Sequence, residues 1–302
     1  MSSTDWYWNS WEDNDMQTLQ QVDVTANGLS FLCRKQGAHG EPVIMLHGFP
    51  ETSHMWLPLM AKLSTEGYQC LAPDQRGYSP CARPEGIEPY RYEHLSDDVI
   101  ALADAMGYDK FHLIGHDHGS GVGWTVTNNH PDRVHSWTAM SVPHIAAFGR
   151  AIREDKDQTE RSQYIGVFQQ VGEAEKLLST DNLAPLKQIW DKCSEEQLAE
   201  YVEVFSQPDA LTGALNWYRG SLSLEEGAAD ATQAIGQIAT PTLCLWGNQD
   251  TAIGRQSTEW AAEYMTGPYR FVEMDAGHWL IQEEEDQVLE EVLNHLRSNP
   301  LP

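Results

Sequence analysis

The side chains in this 302-residue chain that could do chemistry gather just after short apolar runs. Phe111-His112-Leu113-Ile114 leads into Gly115-His116-Asp117-His118-Gly119, a Gly-x-Asp-x-Gly pattern. A sharp strand-to-helix turn can present a nucleophile at its apex only if the flanking residues are small, because the backbones crowd there. Gly115 and Gly119 meet that need, and the apex holds the carboxylate of Asp117. Two later runs are loaded in the same way. Thr242–Trp246 is followed by Gly247-Asn248-Gln249-Asp250, and Arg270–Met274 is followed by Gly277-His278-Trp279. Asp117, Asp250 and His278 thus appear in the chain order nucleophile, acid, histidine. A carboxylate nucleophile suits attack on an sp³ carbon, which leaves an alkyl ester on the enzyme. A histidine oriented by a second acid can then activate water against the ester carbonyl. Attack on an acyl group would instead form a less stable anhydride, so ordinary ester hydrolysis is the poorer match.

The elements that must position these groups follow from hydrophobic period. Val22 and Val24 alternate with polar neighbours, and Asn27-Gly28 is a hairpin turn before a strand from Leu29 to Cys33. Pro42–Leu46 is a continuous apolar run, as expected for a strand covered on both faces. Helix is expected over about His54 to Thr65, and strand over Gln69 to Pro73. Leu95, Val99, Leu102 and Met106 form one helical stripe. The elbow strand comes next, with a helix to about Asn129 and a strand from Val134 to Val142. The alternation of strands and helices predicts a parallel sheet with right-handed crossovers. It then breaks, and helical stripes alone fill the next ninety or so residues. There Ser194-x-x-Gln197 is a capping box ahead of Leu198, Tyr201, Val202 and Phe205. The expected division is a sheet domain of residues 1–143 and 236–302, with a helical cap of residues 144–235. The last helix carries Val288, Val292 and Leu296. The first fifteen residues have no period and are left unassigned.

Composition narrows the setting. Apolar residues make up 41% of the chain, which includes 11 tryptophans, as in a globular protein. Nineteen basic residues stand against 45 acidic ones, for a net charge of −26. That charge disfavours nucleic acid and anionic membranes as partners, and slows the approach of anionic substrates. The acids are dispersed, so their first reading is a solvated surface. No basic residue precedes Arg34, no apolar leader is visible, and Cys33, Cys70, Cys81, Cys193 and Cys244 show no CxxC spacing. The expectation is a cytoplasmic protein with free thiols and no zinc site. Gly119-Ser120-Gly121-Val122-Gly123 invites a nucleotide-loop reading, but Trp124 stands where the dinucleotide fingerprint needs glycine, and no Walker lysine follows. No HExxH spacing occurs among the 12 histidines. Neither cofactor nor metal is therefore expected.

The motifs His47-Gly48-Phe49-Pro50, Asp74-Gln75-Arg76-Gly77, Gly115–Gly119, Trp246–Asp250 and Gly277-His278-Trp279 together resemble the α/β-hydrolase family over nearly the whole chain. The resemblance implies a mostly parallel eight-stranded sheet with helices on both faces and an inserted helical cap. It also implies a cis Pro50 and an oxyanion hole formed by the backbone amides of Phe49 and His118. The Asp74–Arg76 turn is read as structural. Within the family, epoxide hydrolases use two cap tyrosines. Asn216-Trp217-Tyr218-Arg219 and Gln163-Tyr164-Ile165-Gly166-Val167-Phe168 are similar to those two segments. Tyr164 and Tyr218 would grip and protonate an epoxide oxygen, so the expected substrate is a small-molecule apolar epoxide, with water as co-reactant.

The alternatives share the aspartate. Haloalkane dehalogenases resemble one another in placing tryptophan after the nucleophile, where this chain has His118. Fluoroacetate dehalogenases place arginines at the positions occupied here by His118 and Gly121. Many epoxide hydrolases also carry that tryptophan, so His118 departs from their pattern too; its side chain is read as idle, its amide as the contributing group. A different class is a fold of this kind used as a non-catalytic small-molecule receptor.

Overall fold

A computed structural model describes residues 18–221 and 235–302. The unassigned first fifteen residues lie outside the described residues. Eight strands form one sheet: β1 (Gln20–Ala26), β2 (Leu29–Gln36), β3 (Glu41–Leu46), β4 (Tyr68–Pro73), β5 (Phe111–His116), β6 (Val134–Met140), β7 (Thr242–Gly247) and β8 (Tyr269–Met274). Their order is β1-β2-β4-β3-β5-β6-β7-β8. β1–β2 and β2–β4 pair antiparallel, and every other neighbouring pair is parallel. Asn27 and Gly28 both take positive φ, 50° and 77°, which suits the tight turn that joins β1 to β2.

Side-chain alternation explains why this sheet needs two cores. Val43 and Met45 of β3 point to one face, Ile44 and Leu46 to the other, and all four are fully buried. The first face packs on α1 (Leu57–Thr65) through Leu59 and Leu63. The second packs on α2 (Tyr92–Ala105) and α3 (His118–Asn129) through Leu95, Val99, Leu102 and Val122. Met106, expected on the same stripe, is the C-cap of α2 and only partly buried. The Gly119–Gly123 run lies inside buried α3, so its glycines serve close packing.

Among the described residues, six helices lie between β6 and β7: α4 (Ile145–Glu154), α5 (Lys156–Arg161), α6 (Gln163–Phe168), α7 (Glu173–Ile189, bent at Thr180–Leu183), α8 (Glu195–Phe205) and α9 (Ala210–Ser221). Ser194 and Gln197 cap α8 reciprocally. α4 leans on α10 (Arg255–Ala261), with the Arg150 guanidinium 3.9 Å above the Trp260 ring and paired with Glu263. The chain closes with the single-turn α11 (Leu280–Glu283) and with α12 (Glu285–Ser298), which buries Val288, Val292 and Leu296 against the first face. Glu285 and Asp286 occupy the first turn of α12, where acids suit the helix dipole. No helix among the described residues is long and apolar enough to cross a membrane.

The Asp74–Arg76 turn is held by two separate charge networks. Asp74 accepts from the Ser53 amide at 2.8 Å and lies near Arg34. Arg76 pairs with Asp98 of α2 in a two-pronged contact of 2.7 and 2.8 Å, and Asn27 of the first hairpin also donates to Asp98. Asp98 is 4% exposed, so removing it leaves the Arg76 guanidinium buried without its partner. Asp98→Ala is expected to cost about 3–5 kcal/mol in urea unfolding. A loss below about 1 kcal/mol would mean that this pair does not hold the turn.

Candidate active site

The parallel strands end in register along one edge of the sheet. Leu46 pairs with Gly115, His116 with Met140, Met140 with Leu245 and Gly247 with Met274. The loops leaving that edge carry His47–Pro50, Asp117, Ser141, Asp250 and His278, so residues far apart in sequence meet at the carboxyl ends of the strands. Asp117 takes φ 53° and ψ −123° as it caps α3. A β-carbon on Gly119 would lie 2.0 Å from the Leu46 carbonyl oxygen, so only glycine permits this elbow.

The three expected residues are brought together. His278 Nδ1 lies 2.9 Å from Asp250 Oδ2, and His278 Nε2 lies 3.4 Å from Asp117 Oδ2. The other Asp250 oxygen accepts the amides of Ala252 and Ile253 at 2.7 and 2.9 Å. Burial opposes ionisation of both aspartates, yet His278 holds both below the usual carboxylate range. Burial equally opposes charge on His278, but Asp250 and Asp117 outweigh it and raise the imidazole well above its ordinary value. The resting triad is therefore two carboxylates sharing one imidazolium. The Phe49–Pro50 bond is cis, and the Phe49 amide donates to Asp117 Oδ1 at 2.9 Å. The His118 amide occupies the first position of α3, where it has no helical carbonyl to bond.

A cavity of about 580 Å³ opens over the triad, lined by Phe49, Asp117, Tyr164, Tyr218, His278 and Trp279 among others. Tyr164 of α6 and Tyr218 of α9 meet there edge to face, with ring centroids 6.1 Å apart. Burial first, and nearby Asp117 among the charges, push both phenols above their ordinary range, so they keep their protons.

Sequence reasoning missed three participants. Ser141, at φ 66° just past β6, donates its hydroxyl to Asp250 Oδ2 at 2.8 Å and lies 3.0 Å from His278 Nδ1. This turn ends β6 at Met140, two residues before the expected end. Glu51 is fully buried, with Oε1 accepting from Tyr201 and Gln282. Its Oε2 lies 3.7 Å from His116 Nδ1, while His116 Nε2 donates to the His278 carbonyl at 2.9 Å. Burial lifts Glu51 from 4.5 to about 8, and burial, reinforced by His278, lowers His116 to about 4. The only sequence signal was adjacency, since Glu51 follows Pro50 and His116 precedes Asp117. The His118 side chain, read as idle, is buried, shares a 2.9 Å hydrogen bond with the Tyr92 hydroxyl, and packs 4.2 Å from the Tyr218 ring. Among the described residues, no group of three or more His, Cys, Asp or Glu is arranged to hold a metal ion.

The sequence family described as alpha/beta hydrolase fold matches residues 41–285. The chain belongs to that family. It is 33% identical to epoxide hydrolase A of Mycobacterium tuberculosis, an alignment that covers 90% of this chain and 96% of that protein. It is 30% identical to human epoxide hydrolase 4, over 91% of this chain and 78% of the relative. Among solved structures, epoxide hydrolase A from Mycobacterium thermoresistibile is similar at 29% identity and a TM-score of 0.79, over 94% of this chain and all of that one (100%). An epoxide hydrolase from Bacillus megaterium in complex with an inhibitor is similar at 25% identity and a TM-score of 0.83, over 91% and 100%. The eight-stranded, mostly parallel sheet with helices on both faces agrees with this membership.

The raised Glu51 carboxyl has a consequence for stability. Between its unfolded value near 4.5 and its folded value of about 8, the folded chain binds a proton that the unfolded chain has lost. The stability Glu51 contributes is complete below that window and falls as pH rises through it. Glu51→Gln removes the titration. The variant is expected to gain stability relative to the parent between pH 5 and 8.5 in urea melts at about those two values. A constant difference across that range would place the charged form of Glu51 in the folded state.

Proposed function

We propose that this protein is an epoxide hydrolase that converts an epoxide to a vicinal diol through an alkyl ester on Asp117. The observation that carries the reading is a pair of phenols, the buried Tyr218 and the partly buried Tyr164, lining the same cavity as Asp117 and His278. A halide leaves without needing a proton, whereas an opening epoxide develops an alkoxide that does. Two protonated phenols facing a carboxylate nucleophile supply that need. The names borne by the relatives point the same way. Helices within residues 144–235 act as the cap that carries both tyrosines.

In the first step a carboxylate oxygen of Asp117 attacks an epoxide carbon. The carbon–oxygen bond breaks, and a tyrosine transfers its proton to the leaving oxygen. Esterification removes the negative charge of Asp117, one of the two that hold the proton on His278. The imidazole thereby loses affinity for its proton, which passes to the tyrosinate left by the first step, and His278 is neutral at the stage where it must accept one. In the second step His278 takes a proton from water while Asp250, steadied by Ser141 and two amides, stabilises the imidazolium. Hydroxide attacks the ester carbonyl carbon, and the charge on the carbonyl oxygen meets the Phe49 amide and that of His118. As the ester C–O bond breaks, His278 returns its proton to the leaving oxygen and the diol departs; the carboxyl proton of Asp117 then passes to His278, which restores the resting carboxylate–imidazolium pair.

His278→Gln leaves Asp117 able to attack but removes the base. Intact-mass measurement is expected to show this variant accumulating a covalent adduct equal in mass to one substrate, with diol turnover down about 10²–10⁴-fold. A variant that never becomes alkylated contradicts the role given to His278. For the parent, one turnover in ¹⁸O-water is expected to release unlabelled diol and leave the label on Asp117. Fully labelled first diol would mean direct attack by water. Tyr218→Phe and Tyr164→Phe are each expected to slow adduct formation about 10²-fold without blocking fluoride or chloride release where such activity exists. Halide release without diol formation would replace the epoxide reading with dehalogenation, and binding without turnover would favour a receptor.

A further inference from the structure

Asp117, Tyr164 and Tyr218 line two spaces of unequal size. One is the 580 Å³ cavity; the other is a pocket of about 20 Å³ closed by Tyr92, His118, Val142, Ile145, Phe148 and Ile253. Twenty cubic ångströms accommodates about one water-sized group. Its walls are braced. His118 is tied to the Tyr92 hydroxyl at 2.9 Å, and its ring stands edge-on to Tyr218 at 4.2 Å. Tyr92 can approach only because residue 121 is glycine: a β-carbon there would sit 2.5 Å from its hydroxyl oxygen. Phe148 and Ile145 belong to α4, which is pinned to the core by α10. The small pocket cannot widen without disturbing packed, bonded side chains.

We infer that the site selects epoxides that carry a bulky substituent on one ring carbon only. The larger cavity takes the single bulky substituent, and the pocket beside His118 takes only hydrogen or methyl on the second ring carbon. This rests on the epoxide reading above and adds a substrate class to it. An epoxide bearing its oxygen against both phenols and one carbon against Asp117 projects the groups on its two carbons apart. With 580 Å³ on one side and 20 Å³ on the other, a second aryl group has no place. Forcing one in overpacks a closed wall. His118 and Phe148 thus act as specificity residues, distinct from the groups that make and break bonds.

The test compares kcat/KM for styrene oxide, trans-β-methylstyrene oxide and trans-stilbene oxide on the purified full chain, read as diol formed. The first two are expected within about fivefold of each other, and both on the order of 100-fold above stilbene oxide. Phe148→Ala opens the small pocket without touching the triad or the tyrosines. It is expected to raise kcat/KM for stilbene oxide at least about tenfold while moving styrene oxide less than about threefold. Should Phe148→Ala fail to fold by near-ultraviolet circular dichroism, Ile145→Ala opens the same pocket and is read the same way. Comparable turnover of all three epoxides by the parent, or an unchanged ratio on opening the pocket, overturns this substrate-shape inference alone. No diol from any of them, from the parent, overturns the epoxide reading and this inference with it.

Discussion

The imidazolium of His278 between two buried carboxylates is the interaction on which the site depends. A carboxylate at the position of Asp117 is costly, because burial favours its protonated form and the elbow requires a positive φ. Unpaired, it would take up a proton. His278 keeps it ionised, and Asp250 keeps His278 protonated against the same burial. The sheet register serves this arrangement. Three loops leaving one edge of the parallel strands carry Asp117, Asp250 and His278, and the strand register brings their charges together.

Beside this charged set lies a neutral one. Glu51 and His116 are as deeply buried as Asp117, yet burial drives both toward their uncharged forms. The difference is what faces them. Asp117 meets a cation at 3.4 Å, whereas Glu51 receives hydrogen bonds from Tyr201 and Gln282 and has no arginine or lysine against it. A third carboxylate charge would compete with Asp117 and Asp250 for the single imidazolium. A protonated Glu51 leaves the proton of His278 to the pair that uses it. Neighbouring carboxyls separated in this way by environment can take different tasks.

The sequence made visible what rests on local rules. Apolar runs marked the strands, Asn27-Gly28 the hairpin, Ser194 and Gln197 the helix cap, and the loaded strand ends Asp117, Asp250 and His278. Pairing across the fold was not visible. Arg76 sits two residues from Asp74 but bonds Asp98 on α2. Ser141 reads as one more strand residue until its positive φ turns the hydroxyl toward Asp250 and His278. Glu51 and His116 acquire their character from burial, which no motif spacing encodes. His118 looked idle because its partner, Tyr92, lies 26 positions away and reaches it only past a glycine in the next turn of α3. The glycine run that imitated a nucleotide loop is what lets a tyrosine into the floor of the site.

The helices between β6 and β7 do more than roof the cavity, because they also hold the loops beneath it. Arg161 donates to the Asp250 carbonyl at 2.6 Å; Gln158 donates to the Ala252 carbonyl at 2.8 Å and accepts the Gly254 amide at 2.7 Å. The Trp190 indole donates to the carbonyl of Pro50, and the Trp217 indole to that of Arg76. Tyr218 is adjacent to Trp217, and Tyr164 begins one turn after Arg161. The segments beside the phenols thus also clamp the acid loop and the turn at Arg76. A displacement of α5 or α9 that moved a tyrosine would also loosen Asp250 or the turn at Arg76. The two tyrosines, the loop of Asp250 and the turn at Arg76 are therefore aligned by shared contacts.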